Sequence, residues 1–286
     1  MGTILNEIIP YPYSEFQNYE TKYDLKEKHD EILGLLLIFD KFCRENDIKY
    51  SLADGTLLGA IRHGDFIPWD DDVDLMVTRD EYKKLRKVLS LNSEIRLLKI
   101  HFLDRITAQG YDNKHIYLDL FINEEMPANK FIFKLKVFET KFLRTYFRNT
   151  KVRNVRHDGY SNNHKIIRNM VSTVLCFFAI IIVGKRDVFE INDRAVALNH
   201  HRPSGIYTRY TSRIYETKRR FNKSSYDYGY CDVLFRGHRL MSIINADTFL
   251  REMYGDYFIL VPEEKRKPEH PVNMMDSPSS CIKWYN

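Results

Sequence analysis

Apolar positions recur at helical spacing between Tyr23 and Glu45, where Leu25, His29, Ile32, Leu33, Leu36, Phe39, Phe42 and Cys43 fall on one side. Repetition at three and four residues predicts an amphipathic helix packed on a sheet. The period then shortens. Ile48 to Leu52 reads as a strand, Thr56 to Ile61 as a short helix opening at Gly55-Thr56, and Asp72 to Val77 as a second strand. Arg79 to Leu89 returns to helical spacing, and Glu94–Phe102 and His115–Phe121 alternate as two more strands. Residues 1–22 form an irregular, aromatic-rich lead-in. Helix–strand–turn–helix–strand–helix–strand–strand is the order of an α/β (α+β) domain with a mixed sheet.

The pattern changes near Met126. Lys130 to Arg168 carries eleven Lys or Arg against Glu139 and Asp158, a charge of +9 that leaves −4 for the rest of a chain whose total is +5. Met170 to Val183, MVSTVLCFFAIIIV, is 14 residues long and almost wholly apolar. A membrane span needs roughly 20 such residues, so this stretch reads as a buried helix. An interfacial membrane helix is the alternative, because basic flanks are drawn to anionic lipid. Arg186 to Asn199 predicts a further helix, and 205–230 carries no clear period. Cys231–Phe235 and Arg239–Ile243 read as a hairpin turning at Arg236-Gly237-His238. Asn245 or Asp247 caps a last helix running to Tyr254, where Gly255 ends it. The expected organisation is a catalytic core over 1–125, a basic and apolar helical insertion over 126–204, and a C-terminal part over 205–286 that completes the core.

Composition narrows the class. With 44% hydrophobic and 29% charged residues the chain is ordinary for a soluble globular protein. A charge of +5 beside a large acidic cluster argues against a generic nucleic-acid binder. The four cysteines, Cys43, Cys176, Cys231 and Cys281, form no close pair, which excludes a zinc or disulfide framework and fits a reducing compartment. No signal-peptide pattern opens the chain, and Asn6 stands where a myristoylation signal wants Ser or Thr. A cytoplasmic location is expected.

The chemistry gathers between Tyr50 and Leu75. Asp70, Asp71, Asp72 and Asp74 place four negative charges within five residues, and such charges must be protonated, solvated or bound to a cation. On a strand, residues two apart share a face, which aligns Asp72 with Asp74. Two carboxylates facing one way suit Mg²⁺ or Mn²⁺ with phosphate oxygens completing the shell. Upstream, Gly55-Thr56 lets backbone N–H groups at a helix mouth approach a phosphate. Asp70 either joins the metal site or fixes the loop after Pro68-Trp69, and Asp71 is expected to face solvent.

A strand, a Gly-Thr turn into a helix and an Asp-x-Asp strand together resemble the nucleotidyltransferase (polymerase β-like) superfamily. That resemblance implies a third carboxylate on a later strand, and Asp119 in Tyr117-Leu118-Asp119-Leu120-Phe121 stands at the matching place. The motifs Leu57-Leu58-Gly59-Ala60-Ile61-Arg62-His63-Gly64 and Phe66-Ile67-Pro68-Trp69-Asp70-Asp71-Asp72-Val73-Asp74 narrow it further: they are similar to the signature of the LicD family, the phosphorylcholine and fukutin-related ribitol-phosphate transferases. The likeness continues in Met253-Tyr254-Gly255-Asp256-Tyr257, with Pro262, Arg266 and His270 beyond. It implies transfer of a phospho-alcohol, typically phosphocholine, from a CDP-activated donor to a hydroxyl of a cell-surface glycan or its lipid-linked precursor, with release of CMP. Asp72, Asp74 and Asp119, with Asp70 as helper, would hold the metal. Gly55, Thr56, Arg62 and His63 would meet the donor phosphates, and peripheral membrane contact would run through 130–183. Two other readings stand beside this one: nucleotidyl transfer with release of pyrophosphate, and a non-catalytic membrane-surface protein with a decayed site.

Overall fold

The computed structural model describes residues 23–90, 94–100, 103–111, 116–135, 137–138, 203–209, 220–224 and 228–268. The lead-in over 1–22, the helices expected at 170–183 and 186–199, and His270 lie outside the described residues. Helix α1 (Lys26–Glu45) buries Ile32, Leu33, Leu35, Leu36, Phe39 and Cys43 on one side, as its apolar spacing requires. Arg44, near its end, bonds both oxygens of Asp40 and reaches Asp232 at 2.8 Å, which ties the helix to the C-terminal part of the chain.

The next elements follow closely: β1 (Ser51–Leu52), α2 (Asp54–Arg62), β2 (Asp74–Thr78), α3 (Arg79–Leu89), β3 (Ile95–Ile100), β4 (Leu103–Ala108) and β5 (Leu118–Pro127). The sheet runs β1-β2-β5-β4-β3. Only β2 and β5 pair in parallel; the other described pairings are antiparallel. Strand β5 is ten residues long and buried along nearly all of it. It leaves β4 after Leu120 and picks up β6 (Pro203–Thr208) from Glu124 onward, so the chain that passes through the basic segment returns to the sheet beside the strand it left. Strand β7 (Arg220–Asn222) pairs with β6. A separate hairpin, β8 (Tyr230–Phe235) and β9 (His238–Ile243), turns at Arg236-Gly237, where both residues have positive φ. It docks on β1, with Ser51 Oγ accepting the Ile243 N–H at 3.0 Å. Helix α4 (Ala246–Tyr254) ends at Gly255, whose φ of 70° and ψ of −129° glycine adopts without the clash a Cβ would bring.

The fold is therefore α+β with a mixed sheet. Three expectations needed revision. Strand β2 starts at Asp74, so Asp72 lies in a bend before it rather than on it. Strand β4 was not anticipated, because its inward positions include the buried Asp104, which accepts the Tyr82 hydroxyl and breaks the apolar alternation. Strand β5 runs six residues beyond Phe121, its two covered faces leaving no period to read.

Helix α2 is almost fully buried and lies against the loop that follows it. Gly59 makes this approach possible: a Cβ there would stand 2.6 Å from the Asp65 carbonyl oxygen and 3.1 Å from the Ile67 nitrogen. Both are backbone atoms that cannot rotate away. Gly59→Ala is expected to destabilise the fold by about 1–3 kcal/mol, the usual cost of overpacking, read as a lowered midpoint in thermal or urea unfolding.

Candidate active site

Strands β2 and β5 set Asp74 directly beside Asp119 in register. The Asp119 N–H donates to the Val73 carbonyl at 2.8 Å, extending the ladder by one bond past the start of β2. Asp72, in the bend just before, turns its carboxylate to the same point. One oxygen from each of Asp72, Asp74 and Asp119 lies within 4.8 Å of the others. The structure brings Asp72 and Asp74 together as the sequence alternation expects, but through a different local geometry: Asp72 joins from a bend.

The start of α2 is pinned to this trio. The Ala53 N–H donates to the Asp74 carbonyl at 2.9 Å, and Thr56 Oγ1 accepts the Asp74 N–H at 2.8 Å. Gly55 lies against Asp70, whose Oδ2 would collide with any Cβ at position 55. Asp70 is itself held by its backbone, with its N–H on the Ile67 carbonyl and its own carbonyl accepting from His29 Nε2 at 2.7 Å. The His29 ring stacks on Phe66 at 4.1 Å. Asp71 does not face solvent as expected. It is 2% exposed and pairs with Lys28 Nζ at 2.8 Å, so the first turn of α1 clamps the acidic loop.

Burial pushes the Asp74 carboxyl well above the usual carboxylate range, and the nearby Asp72, Asp54, Asp119 and Asp70 add to the effect. A site that raises the cost of its own charge in this way is suited to a divalent cation. Three converging hard oxygens fit a hard divalent cation.

Two arginines and one further acid at the site escaped sequence reading. Arg105, opposite Asp119 across β4 and β5, donates from Nε to Asp119 Oδ1 at 2.6 Å and stands over the Tyr117 ring. Asp54 opens α2 with a φ of 41° and bonds the fully buried Arg209. Asp54 had a local cue, an acid directly before Gly55-Thr56. Arg105 and Arg209 had none, since only strand pairing brings them in.

Arg62 and His63 occupy the other end of α2, roughly 12 Å along a nine-residue helix. Arg62 donates to the Tyr257 carbonyl at 2.5 Å and contacts His63 Nδ1 at 3.4 Å. Burial, with Arg266 next among the lowering causes, brings Arg62 down to about 10. Burial and then Arg62 lower His63 to about 3, so it is a neutral imidazole at physiological pH. Arg266 reaches back over Trp69 at 5.7 Å, closing the C-terminal segment onto the acidic loop.

A mixed sheet that gathers three carboxylates beside a Gly-Thr helix start defines a nucleotidyltransferase-like protein. Residues 47–157 match the LicD/FKTN/FKRP nucleotidyltransferase domain, and the relatives that the chain resembles support the LicD/fukutin-related family. It is 27% identical over 273 residues to the lipopolysaccharide cholinephosphotransferase LicD of Haemophilus influenzae, covering 87% of this chain and 97% of that protein. It is 32% identical over 81 residues to the mouse ribitol 5-phosphate transferase FKRP, covering 26% of this chain and 16% of that protein. An uncharacterised protein of Rickettsia typhi is 42% identical over 69 residues, 24% of this chain and 22% of its own. The chain is an enzyme, a transferase of phosphorus-containing groups.

The raised Asp74 carboxyl has a consequence for stability. Its folded pKa lies above the unfolded value, so the folded state binds more protons and loses stability as pH rises out of the carboxylate range. Without divalent cation, Asp74→Asn is therefore expected to be more stable than the parent at pH 8, the difference fading toward pH 4. Adding Mg²⁺ should stabilise the parent and not the variant. Thermal melts in EDTA and in Mg²⁺ across this pH range check both.

Proposed function

We propose that the enzyme transfers a phosphorylated alcohol, phosphocholine in the first instance, from a CDP-linked donor to a hydroxyl of a cell-surface glycan or its lipid-linked precursor. The convergence of Asp72, Asp74 and Asp119 at the start of α2 carries this reading. Alignment over nearly the whole length of a lipopolysaccharide cholinephosphotransferase supports the choice of transferred group and acceptor class. The acceptor oxygen bonds to the phosphorus of the phospho-alcohol. The bond from that phosphorus to the bridging oxygen breaks, and its electron pair leaves with CMP.

A Mg²⁺ or Mn²⁺ ion held by Asp72, Asp74 and Asp119 would neutralise the charge that builds on the leaving oxygen. Gly55 and Thr56 present backbone N–H groups at a helix N-terminus, where phosphate oxygens are favoured. Arg105 fixes the rotamer of Asp119, so that its carboxylate can serve the cation or take the acceptor's proton. Asp70 keeps the loop closed on Gly55. In this reading Arg62 acts through α2, by anchoring its far end to the Tyr257 carbonyl, with His63 accepting from the same guanidinium.

The acceptor's lipid anchor would explain the basic stretch after Lys130, where Phe131, Leu135 and Phe138 are exposed beside lysines. Such a surface suits peripheral contact with the cytoplasmic face of an anionic membrane. No helix among the described residues is long and apolar enough to cross one.

The test incubates the enzyme with CDP-alcohols, Mg²⁺ and glycan acceptor, and identifies the nucleotide product. CMP is expected. Pyrophosphate from a nucleoside triphosphate would instead mean attack at the α-phosphorus. Asp72→Ala and Asp74→Ala should each cut CMP release by about 100-fold or more, since a bound cation supplies several kcal/mol to such steps. Full activity in folded variants would refute the metal assignment.

A further inference from the structure

Arg209 is 0% exposed, and its guanidinium touches α2, β2 and β5, three of the elements that build the site. Nη1 donates to Asp54 Oδ2 at 2.5 Å, at the first residue of α2. Nε donates to Asn123 Oδ1 at 3.2 Å on β5, and Nη2 lies 3.9 Å from Met76 Sδ on β2. Its plane stands 4.3 Å from the centre of the Phe121 ring. Met76 pairs with Phe121 in the same register that pairs Asp74 with Asp119, two residues earlier on each strand. Residues two apart on a strand share a face, so the guanidinium packs on the face that carries the metal carboxylates, one repeat of about 6.6 Å further along.

Asp54 needs such a partner. Its φ of 41° lies in the left-handed region, where a residue other than glycine is held only by its surroundings. Its carboxylate is buried close enough to Asp74 to raise the charge cost there. The N-cap of α2 is Ala53, with no side-chain bond of its own, so the ion pair with Arg209 supplies the fixing that a capping side chain would otherwise give.

We infer that Arg209 is a positioning residue of the active site, which locks Asp54 and thereby sets Gly55, Thr56 and the Asp74 backbone against the metal carboxylates. It lies beyond both the basic segment and the matched residues 47–157. The site is completed by chain that returns to the sheet 80 residues after Glu125, where Gly205 also bonds that glutamate.

The inference rests on Asp72, Asp74 and Asp119 binding a cation, and its test does not depend on turnover. Mg²⁺ binding to the full chain is measured by calorimetry, below the melting midpoint of each variant. Arg209→Lys keeps the positive charge but cannot span three partners. It is expected to weaken Mg²⁺ binding at least fivefold and, in the transferase assay, to lower kcat more than it raises KM for the donor. Asp54→Gly accepts the positive φ and breaks the same link, so it carries the test if Arg209→Lys does not fold. The two changes in one chain should cost no more than the larger alone, because one link is lost only once. Mg²⁺ affinity within twofold of the parent in a folded Arg209→Lys or Asp54→Gly chain would overturn the inference, as would fully additive losses. A parent that binds Mg²⁺ at Asp72 but releases no CMP from any CDP-alcohol would sink the transferase reading alone, and the Mg²⁺ comparison would still decide Arg209. A parent that binds no Mg²⁺ would overturn both.

Discussion

The parallel pairing of β2 with β5 is the constraint on which the rest of this molecule depends. It sets Asp74 beside Asp119 at the strand starts, two carboxylates that would repel each other in any other use of the sheet. Parallel strands cannot be joined by a tight turn, so the chain leaves β2 through α3, β3 and β4 before it returns as β5. The bend before β2 then has room to bring Asp72 to the same point. What looks like a costly arrangement of charge is the reason for the topology around it.

Positive charge answers the acidic site from several directions, and each contact has a separate structural origin. Lys28, from the first turn of α1, takes Asp71 out of the cluster and into the protein. Arg105, across β4 and β5, orients Asp119. Arg209, entering from beyond β6, neutralises Asp54. Asp54 and Asp71 are thereby taken up in ion pairs, while Asp119 keeps its place beside Asp72 and Asp74 although Arg105 also bonds it.

Helices α1, α3 and α4 and the β8–β9 hairpin were legible in advance because each has one buried face and a clear end signal. Helix α3 has Thr78 at its N-cap accepting from the Glu81 N–H, and α4 stops at Gly255. Strands β4 and β5 were less so. A buried Asp104 and a strand covered on both faces each erase the period of two by which strands are recognised. Strands β6 and β7 lay in a stretch without any period, since their places are assigned by what they pair with. The expected solvent exposure of Asp71 failed for a related reason: Lys28 lies 43 residues away, and no local rule links them.

The acidic stretch from Asp70 to Asp74 shows the same division. The residue types and their spacing determined that this protein gathers carboxylates beside a glycine-led helix start, because charge density and backbone freedom are local properties of the chain. Asp72, Asp74, Gly55 and Thr56 were visible on those grounds. Only the tertiary structure decided that Asp72 joins from a bend, that Asp71 is withdrawn by Lys28, and that Arg105 and Arg209 attend the site. Those outcomes depend on strand register and on ion pairs spanning up to 155 residues, distances over which a sequence carries no period.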